Sequence, residues 1–317
     1  MNVLSLFDGM SGGQLALNKL GIIPDKYYAS EIDKYAIKIT QKNFPNTIQL
    51  GNVENITGDD LNIDLLIAGS PCQGFSIANR SRLNFDDPRS KLFFEFVRLL
   101  KKLKPKYFLL ENVSMKKEWI EIINDQCGVE GYMINSSNFS AQNRKRYYWT
   151  NIPFDKNIQD KGIILKDILE EYRSDPPGAL DLMTDKNAKA YCLTASYEYA
   201  VYWNSINKYQ RTMIPTNKPI QVGMAKNIKG HDILRRIYSP EGKSPTLNTC
   251  SGGNREPKVS VNEINWRKLT PIECERLQTV PDNYTEGVSK TQRYKMLGNG
   301  WNVDTVAHIF SGLPNPN

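Results

Sequence analysis

NVLSLFDGMSGGQLALNKL (residues 2–20) is the stretch that decides the fold. Its first part, VLSLF (3–7), is an apolar run of the buried-strand type. FDGMSGG (7–13) is a glycine-rich turn, and QLALNKL (14–20) has helical spacing. A strand passing through glycines straight into a helix is the opening unit of a wound α/β sheet. The same alternation continues outward. YYAS (27–30) leads into the helical pattern DKYAIKITQKNF (33–44), and IDLLIAG (63–69) reads as a buried strand. RSKLFFEFVRLLKKLK (89–104) repeats its apolar residues with helical period, YFLLENV (107–113) is again a strand, and RYYWTNI (146–152) is a late one. The alternation predicts a mostly parallel, Rossmann-like sheet with helices on both faces.

After residue 153 the texture changes. SDPPGAL (174–180), IPTNKPIQVG (214–223) and YSPEGKSPTLNTCSGGNREP (238–257) are rich in proline, glycine and polar residues, which predicts short strands joined by loops. TPIECERLQ (270–278) carries a helix start, with Thr270 as N-cap, Pro271 at the first helical position and Glu273 three residues after the cap. VDTVAHIF (303–310) reads as a closing helix. The division expected is a larger domain of residues 1–160 and 265–317, and a smaller loop-rich one of 161–264.

The chain has 317 residues, 41 Lys+Arg against 34 Asp+Glu, and a net charge of +7. The excess is not spread evenly. Residues 1–184 hold 23 of each sign and residues 261–317 hold 6 of each, whereas 185–260 hold 12 basic and 5 acidic side chains. A concentrated basic segment is the footprint of a polyanion, nucleic acid first among them, although a solvated lysine-rich surface has the same composition. No apolar run approaches the ~20 residues of a membrane span, and the mean hydropathy is −0.50. The start has no basic region or cleavage site of a signal peptide, so a cytoplasmic protein of a bacterium or phage-infected cell is expected. The cysteines Cys72, Cys127, Cys192, Cys250 and Cys274 are scattered, and His231 and His308 stand far apart. Neither a disulfide framework nor a metal site is expected.

Four constellations carry chemistry. The FDGMSGG turn offers free backbone N–H groups to a nucleoside cofactor, and Glu31 ends the second strand, where such sheets place an acid for ribose hydroxyls. A plain turn would look the same. SPCQGFS (70–76) sets Cys72 just beyond a strand end, as an activated nucleophile or as a buried structural thiol. Glu111 in LLENV ends another strand at the same sheet edge, suited to sharing a proton or to a salt bridge. In AQNRKRYYW (141–149), Arg144 and Arg146 fall on one face of an extended segment, to grip a carbonyl oxygen or a phosphate, or merely to be solvated.

FDG…G, SPCQ, ENV, QNRKR and RYKMLGNGWNVDTV, in that order, resemble the DNA (cytosine-5)-methyltransferases over nearly the whole chain. FDGMSGG and RSKLFFEFVRLL look more like the phage enzymes and the animal de novo branch than like the commonest restriction-linked form. The resemblance implies a class I methyltransferase fold, S-adenosylmethionine as methyl donor and double-stranded DNA as substrate. It implies Cys72, Glu111, Arg144 and Arg146 as the catalytic set. For the cofactor it points to Phe7, Gly9, Met10, Glu31, Ile32, Asn52, Pro71, Leu92, Asn299 and Trp301. It makes residues 73–89 a loop closing over a flipped base, with Gln73, Ser76 and Ala78 against DNA. The basic segment takes the place of the target-recognition region. Thr246 and Leu247 match its short signature, and Asn254 and Arg255 are candidate base readers or simply turn residues. Two positions depart from the family pattern. Ile32 replaces a tryptophan that stacks on adenine, and Asn52 replaces an aspartate, so cofactor binding weaker than in an Asn52→Asp variant is expected. A tRNA methyltransferase on the same fold and a catalytically silent relative are the alternatives.

Overall fold

The computed structural model describes residues 1–70, 88–170, 221–225, 228, 232–247, 257–260 and 266–314. Seven strands form the main sheet: β1 (Asn2–Leu6), β2 (Lys26–Ser30), β3 (Ile48–Gln49), β4 (Leu65–Gly69), β5 (Tyr107–Val113), β6 (Tyr132–Asn135) and β7 (Lys145–Thr150). Their order is β3-β2-β1-β4-β5-β7-β6. The strands from β3 to β5 run parallel, and β7 is antiparallel to both of its neighbours. The order reverses between β1 and β4, which opens a crevice at the carboxyl ends of those two strands.

Period-two alternation along the central strands feeds two cores. Val3, Leu65, Ile67 and Leu109 face one, together with Leu15 and Leu17 of helix α1 (Gly12–Lys19). Leu4, Leu6, Leu66, Ala68 and Leu110 face the other. The second core is closed by Phe93, Phe96 and Leu99 of α3 (Pro88–Leu103) and by Trp119 and Ile123 of α4 (Lys117–Cys127). Helix α2 (Lys34–Asn43) follows β2, capped by Asp33, whose carboxylate accepts from the Tyr35 N–H at 2.9 Å. Both faces of each central strand are buried, as a parallel sheet requires.

The smaller sheet has the order β11-β10-β9-β8, formed by β8 (Gln221–Met224), β9 (Arg236–Tyr238), β10 (Lys258–Ser260) and β11 (Trp266–Lys268), with a single-turn helix α5 (Asp232–Arg235) between β8 and β9. It therefore extends four residues past 264. The chain then returns to the main sheet through α6 (Pro271–Leu277), α7 (Lys290–Asn299) and α8 (Val303–Phe310). Val303, Val306, Ile309 and Phe310 complete the first core. α6 begins with the expected capping box: Thr270 Oγ1 accepts from the Glu273 N–H, and Glu273 accepts from the Thr270 N–H. Among the described residues, no helix is long and apolar enough to cross a membrane.

Candidate functional site

A cleft of about 360 Å³ opens at the carboxyl edge of the main sheet. One wall is the turn after β1. Its backbone takes left-handed values at Phe7 (φ 56°), Gly9 (φ 59°) and Ser11 (φ 63°), and two of these three are not glycines. Such conformations cost of order 1–3 kcal/mol each and persist where the surroundings impose them, typically at functional sites. Glu31 locks the turn, because Oε2 accepts from the Gly9 N–H at 2.8 Å while Oε1 accepts from the N–H groups of Ile32 (2.7 Å) and Asp33 (2.8 Å). A carboxylate has about four lone-pair sites, so capacity remains on the cleft side.

Of the residues singled out for the cofactor, Phe7, Glu31, Ile32, Asn52, Leu92 and Asn299 line the cleft. Ile32 is 76% exposed and stands at the rim. Gly9, Met10 and Trp301 do not line it. Gly9 acts through its N–H to Glu31. Met10 is buried, and its carbonyl accepts from the Tyr284 hydroxyl at 2.7 Å. Trp301 packs behind the wall, so close that a Cβ on Gly69 would lie 2.7 Å from its Nε1. Asn52 has a second duty that the sequence did not announce. It caps the short helix Val53–Asn55, accepting from the Glu54 N–H at 3.2 Å and donating to the Glu54 carboxylate at 2.9 Å. An aspartate there would face a like charge on Glu54, so the difference from the family pattern is not one of cofactor affinity alone.

The opposite end of the cleft is ionic. Glu111 on β5 is register partner of Gly69 on β4, and Arg146 on β7 is register partner of Val113. Arg146 Nε lies 2.9 Å from Glu111 Oε1, and both side chains are largely buried. Arg144 also reaches the cleft but spends its guanidinium on main-chain carbonyls: Leu247 and Gly298 at 3.3 Å each, and Gly300 at 3.0 Å. These three carbonyls tie the fork to the scaffold, and the support expected of Arg144 for the Cys72 thiolate falls on a residue outside the described ones. Leu247 is 2% exposed, and its side chain packs in the first core. Thr246 is exposed, and its hydroxyl donates to the Asn143 carbonyl at 2.6 Å.

Pro71, Cys72, Gln73, Ser76, Ala78, Asn254 and Arg255 lie outside the described residues. The described chain ends at Ser70 on this side, and the Ser70 hydroxyl accepts from the Asn112 amide at 2.9 Å. Sequence reading missed Asn112, Val53 and Gly298, all in the cleft lining. Each directly adjoins a residue that was singled out, which was the available signal.

The family model described as C-5 cytosine-specific DNA methylase matches residues 1–315. The chain belongs to that family. It is 27% identical to the orphan methyltransferase M.SPBetaI of Bacillus phage SPbeta, over 99% of this chain and 97% of the relative. It is 28% identical to the type II methyltransferase M.HhaI of Haemophilus parahaemolyticus, over 98% and 93%. Among solved structures, the Entamoeba histolytica methyltransferase EhMeth superposes with a TM-score of 0.68 at 18% identity, over 99% of both chains. The fold is thus that of the α/β methyltransferases. The enzyme is a DNA (cytosine-5)-methyltransferase.

Proposed function

We propose that this cytosine-5 methylase acts at a defined DNA sequence, draws its methyl group from S-adenosylmethionine, and attacks the target base through Cys72. The observation that carries the reading is the buried Glu111–Arg146 pair, 2.9 Å apart at the same cleft end where β4 runs out three residues before Cys72.

The cleft suits the cofactor. It has the size of a nucleoside site, an acid at the end of β2, apolar walls at Phe7 and Ile32, and an amide at Asn52. Glu31 would take the ribose hydroxyls, and Asn52 and Val53 would face the adenine edge. When bound, the cofactor supplies an electrophilic sulfonium methyl group.

Cytosine C5 is a poor nucleophile toward such a methyl. A thiolate from Cys72 adding to C6 breaks the C5–C6 double bond and makes C5 an enamine carbon. Glu111 favours that addition by sharing a proton with N3, and Arg146 holds both the Glu111 carboxylate and the base O2. Once C5 carries the methyl, loss of its proton lets Cys72 leave and the ring regain aromaticity. Among the described residues another cysteine would serve badly, because burial pushes the Cys127 thiol up to about 12 and Cys274 is fully buried. The target base cannot react inside the duplex, so it must be flipped out, at roughly a few kcal/mol.

The test is tritium transfer from labelled S-adenosylmethionine to unmethylated duplex DNA and to tRNA, with Cys72→Ala as control. Label in duplex DNA only, abolished in C72A, is the outcome expected, and bisulfite sequencing then gives the site. Label confined to tRNA would overturn the DNA assignment. Transfer that survives C72A would overturn the covalent route.

A further inference from the structure

We infer that Arg144 is a positioning residue that couples occupancy of the cofactor cleft to docking of the Thr246–Leu247 segment. The inference rests on the cofactor reading given above. Arg144 is 3% exposed, and its forked guanidinium joins two chain segments far apart in sequence. Nη1 donates to the carbonyls of Leu247 and Gly298, and Nη2 to that of Gly300.

One end of this bridge is the cofactor side. Gly298 and Asn299 line the cleft. The Gln278 amide grips the same turn from behind, donating to the carbonyls of Leu297 and Gly300. The other end is the segment around Thr246, seated against the residues that immediately precede Arg144. Ser244 pairs with Ala141 (2.6 Å) and Asn143 (2.8 Å), and the Thr246 hydroxyl reaches the Asn143 carbonyl. Arg144 itself lies two residues before Arg146, so the bridge is anchored beside the strand that carries the ion pair.

A buried guanidinium cannot give up a carbonyl on one side without leaving charge unsatisfied. A ligand that favours one arrangement of the 298–300 turn therefore favours one arrangement of the Leu247 carbonyl, and binding at either end biases the other. Lysine keeps the charge but presents a compact head on a flexible stem, and cannot reproduce the planar fork. The Arg144→Lys variant thus separates coupling from charge.

Amide hydrogen exchange with and without S-adenosylhomocysteine tests the bridge, with no DNA and no turnover. In the wild-type protein the ligand is expected to slow exchange at residues 51–53 and 298–302, and also at 243–247, by about fivefold or more. In R144K the protection at 51–53 is kept and that at 243–247 is lost. Cleft protection in the wild type with 243–247 unchanged overturns the coupling alone, and so does unchanged coupling in R144K. No protection anywhere overturns the cofactor reading and the coupling with it. The wild-type arm decides even if R144K does not fold.

Discussion

Asp8 stands directly behind the cleft turn. One of its carboxylate oxygens accepts from the Tyr27 hydroxyl at 2.8 Å, and the other is buried without a hydrogen-bond partner. Loss of solvent pushes its pKa up to about 6, against hydrogen bonds from Ser5, Tyr27 and Ser11 that pull it down and with the Glu31 charge adding to the rise. The sign of the stability effect follows from linkage. A carboxyl that holds its proton more tightly when folded contributes stability that is complete below about pH 4 and is lost as pH rises through about 6. An asparagine in its place would have no proton to lose and could still accept from Tyr27. Urea denaturation of Asp8→Asn is therefore expected to show a gain of roughly 2–3 kcal/mol above pH 7 that shrinks to nothing near pH 4. A gap independent of pH would remove Asp8 as its source. Single residues were unevenly legible in the sequence. Glu31 and Glu111 lie at or near the ends of readable strands, so the strand pattern placed them at the sheet edge, whereas Arg146 was brought to the site by the resemblance. The duty of Arg144 was not legible, because its carbonyl partners lie 103 and more residues away.

At the scale of elements, the long apolar runs were readable and the short ones were not. β1, β4 and β5 are continuous buried runs flanked by polar residues. β3 is two residues long, and β6 reads YMIN with only Ile134 buried, so neither carries enough pattern to stand out. They exist because β2 and β7 offer an edge to pair with. The junction between β1 and α1 depends on a close approach that sequence glycines only hinted at. A Cβ on Gly13 would lie 2.3 Å from Ile67 Cδ1, 3.1 Å from the Tyr27 hydroxyl and 3.3 Å from the Trp301 ring. On Gly12 the nearest atom is Trp301 Cβ at 3.7 Å, an ordinary separation. The two neighbouring glycines therefore differ in kind. Gly13→Ala overpacks the helix–sheet seam and is expected to cost about 1–3 kcal/mol. Gly12→Ala places its Cβ at ordinary contact distance at a helix start and is expected to be neutral, or to gain up to about 1 kcal/mol. Thermal melts of the two variants side by side check this, and equal losses would mean that the seam is not tight at Gly13.

Across the whole molecule, charge and topology are arranged separately. The residues that build the cleft come from parts of the chain whose charges cancel, while the excess lies in 185–260. Lys243 ties that segment down. Its buried ammonium donates to the carbonyls of Ser137, Ser140 and Ile163, with Asp160 at 3.5 Å. One of the twelve basic groups of the segment is thus consumed by the fold and is not offered to a partner. Lys258 is buried as well. In polyanion recognition generally, lysines and arginines set affinity by releasing counterions, and a few directed side chains set sequence. This makes position matter more than total charge. Lys226 and Lys229 belong to the basic segment and lie outside the described residues. Lys101 and Lys102 are exposed at the end of α3, beside the start of β5 and so at the opposite edge of the sheet from the cleft. Each pair changed to glutamine removes the same charge. K226Q/K229Q is expected to flatten the dependence of log Kobs on log salt for duplex DNA, by about one unit for each phosphate no longer neutralised. K101Q/K102Q is expected to leave that slope alone. K101Q/K102Q should not alter binding of S-adenosylhomocysteine either, because these lysines do not belong to the cleft lining. Equal slopes for the two variants would mean that DNA responds to the net charge of the whole protein, and that the basic segment holds no privileged place against the phosphates.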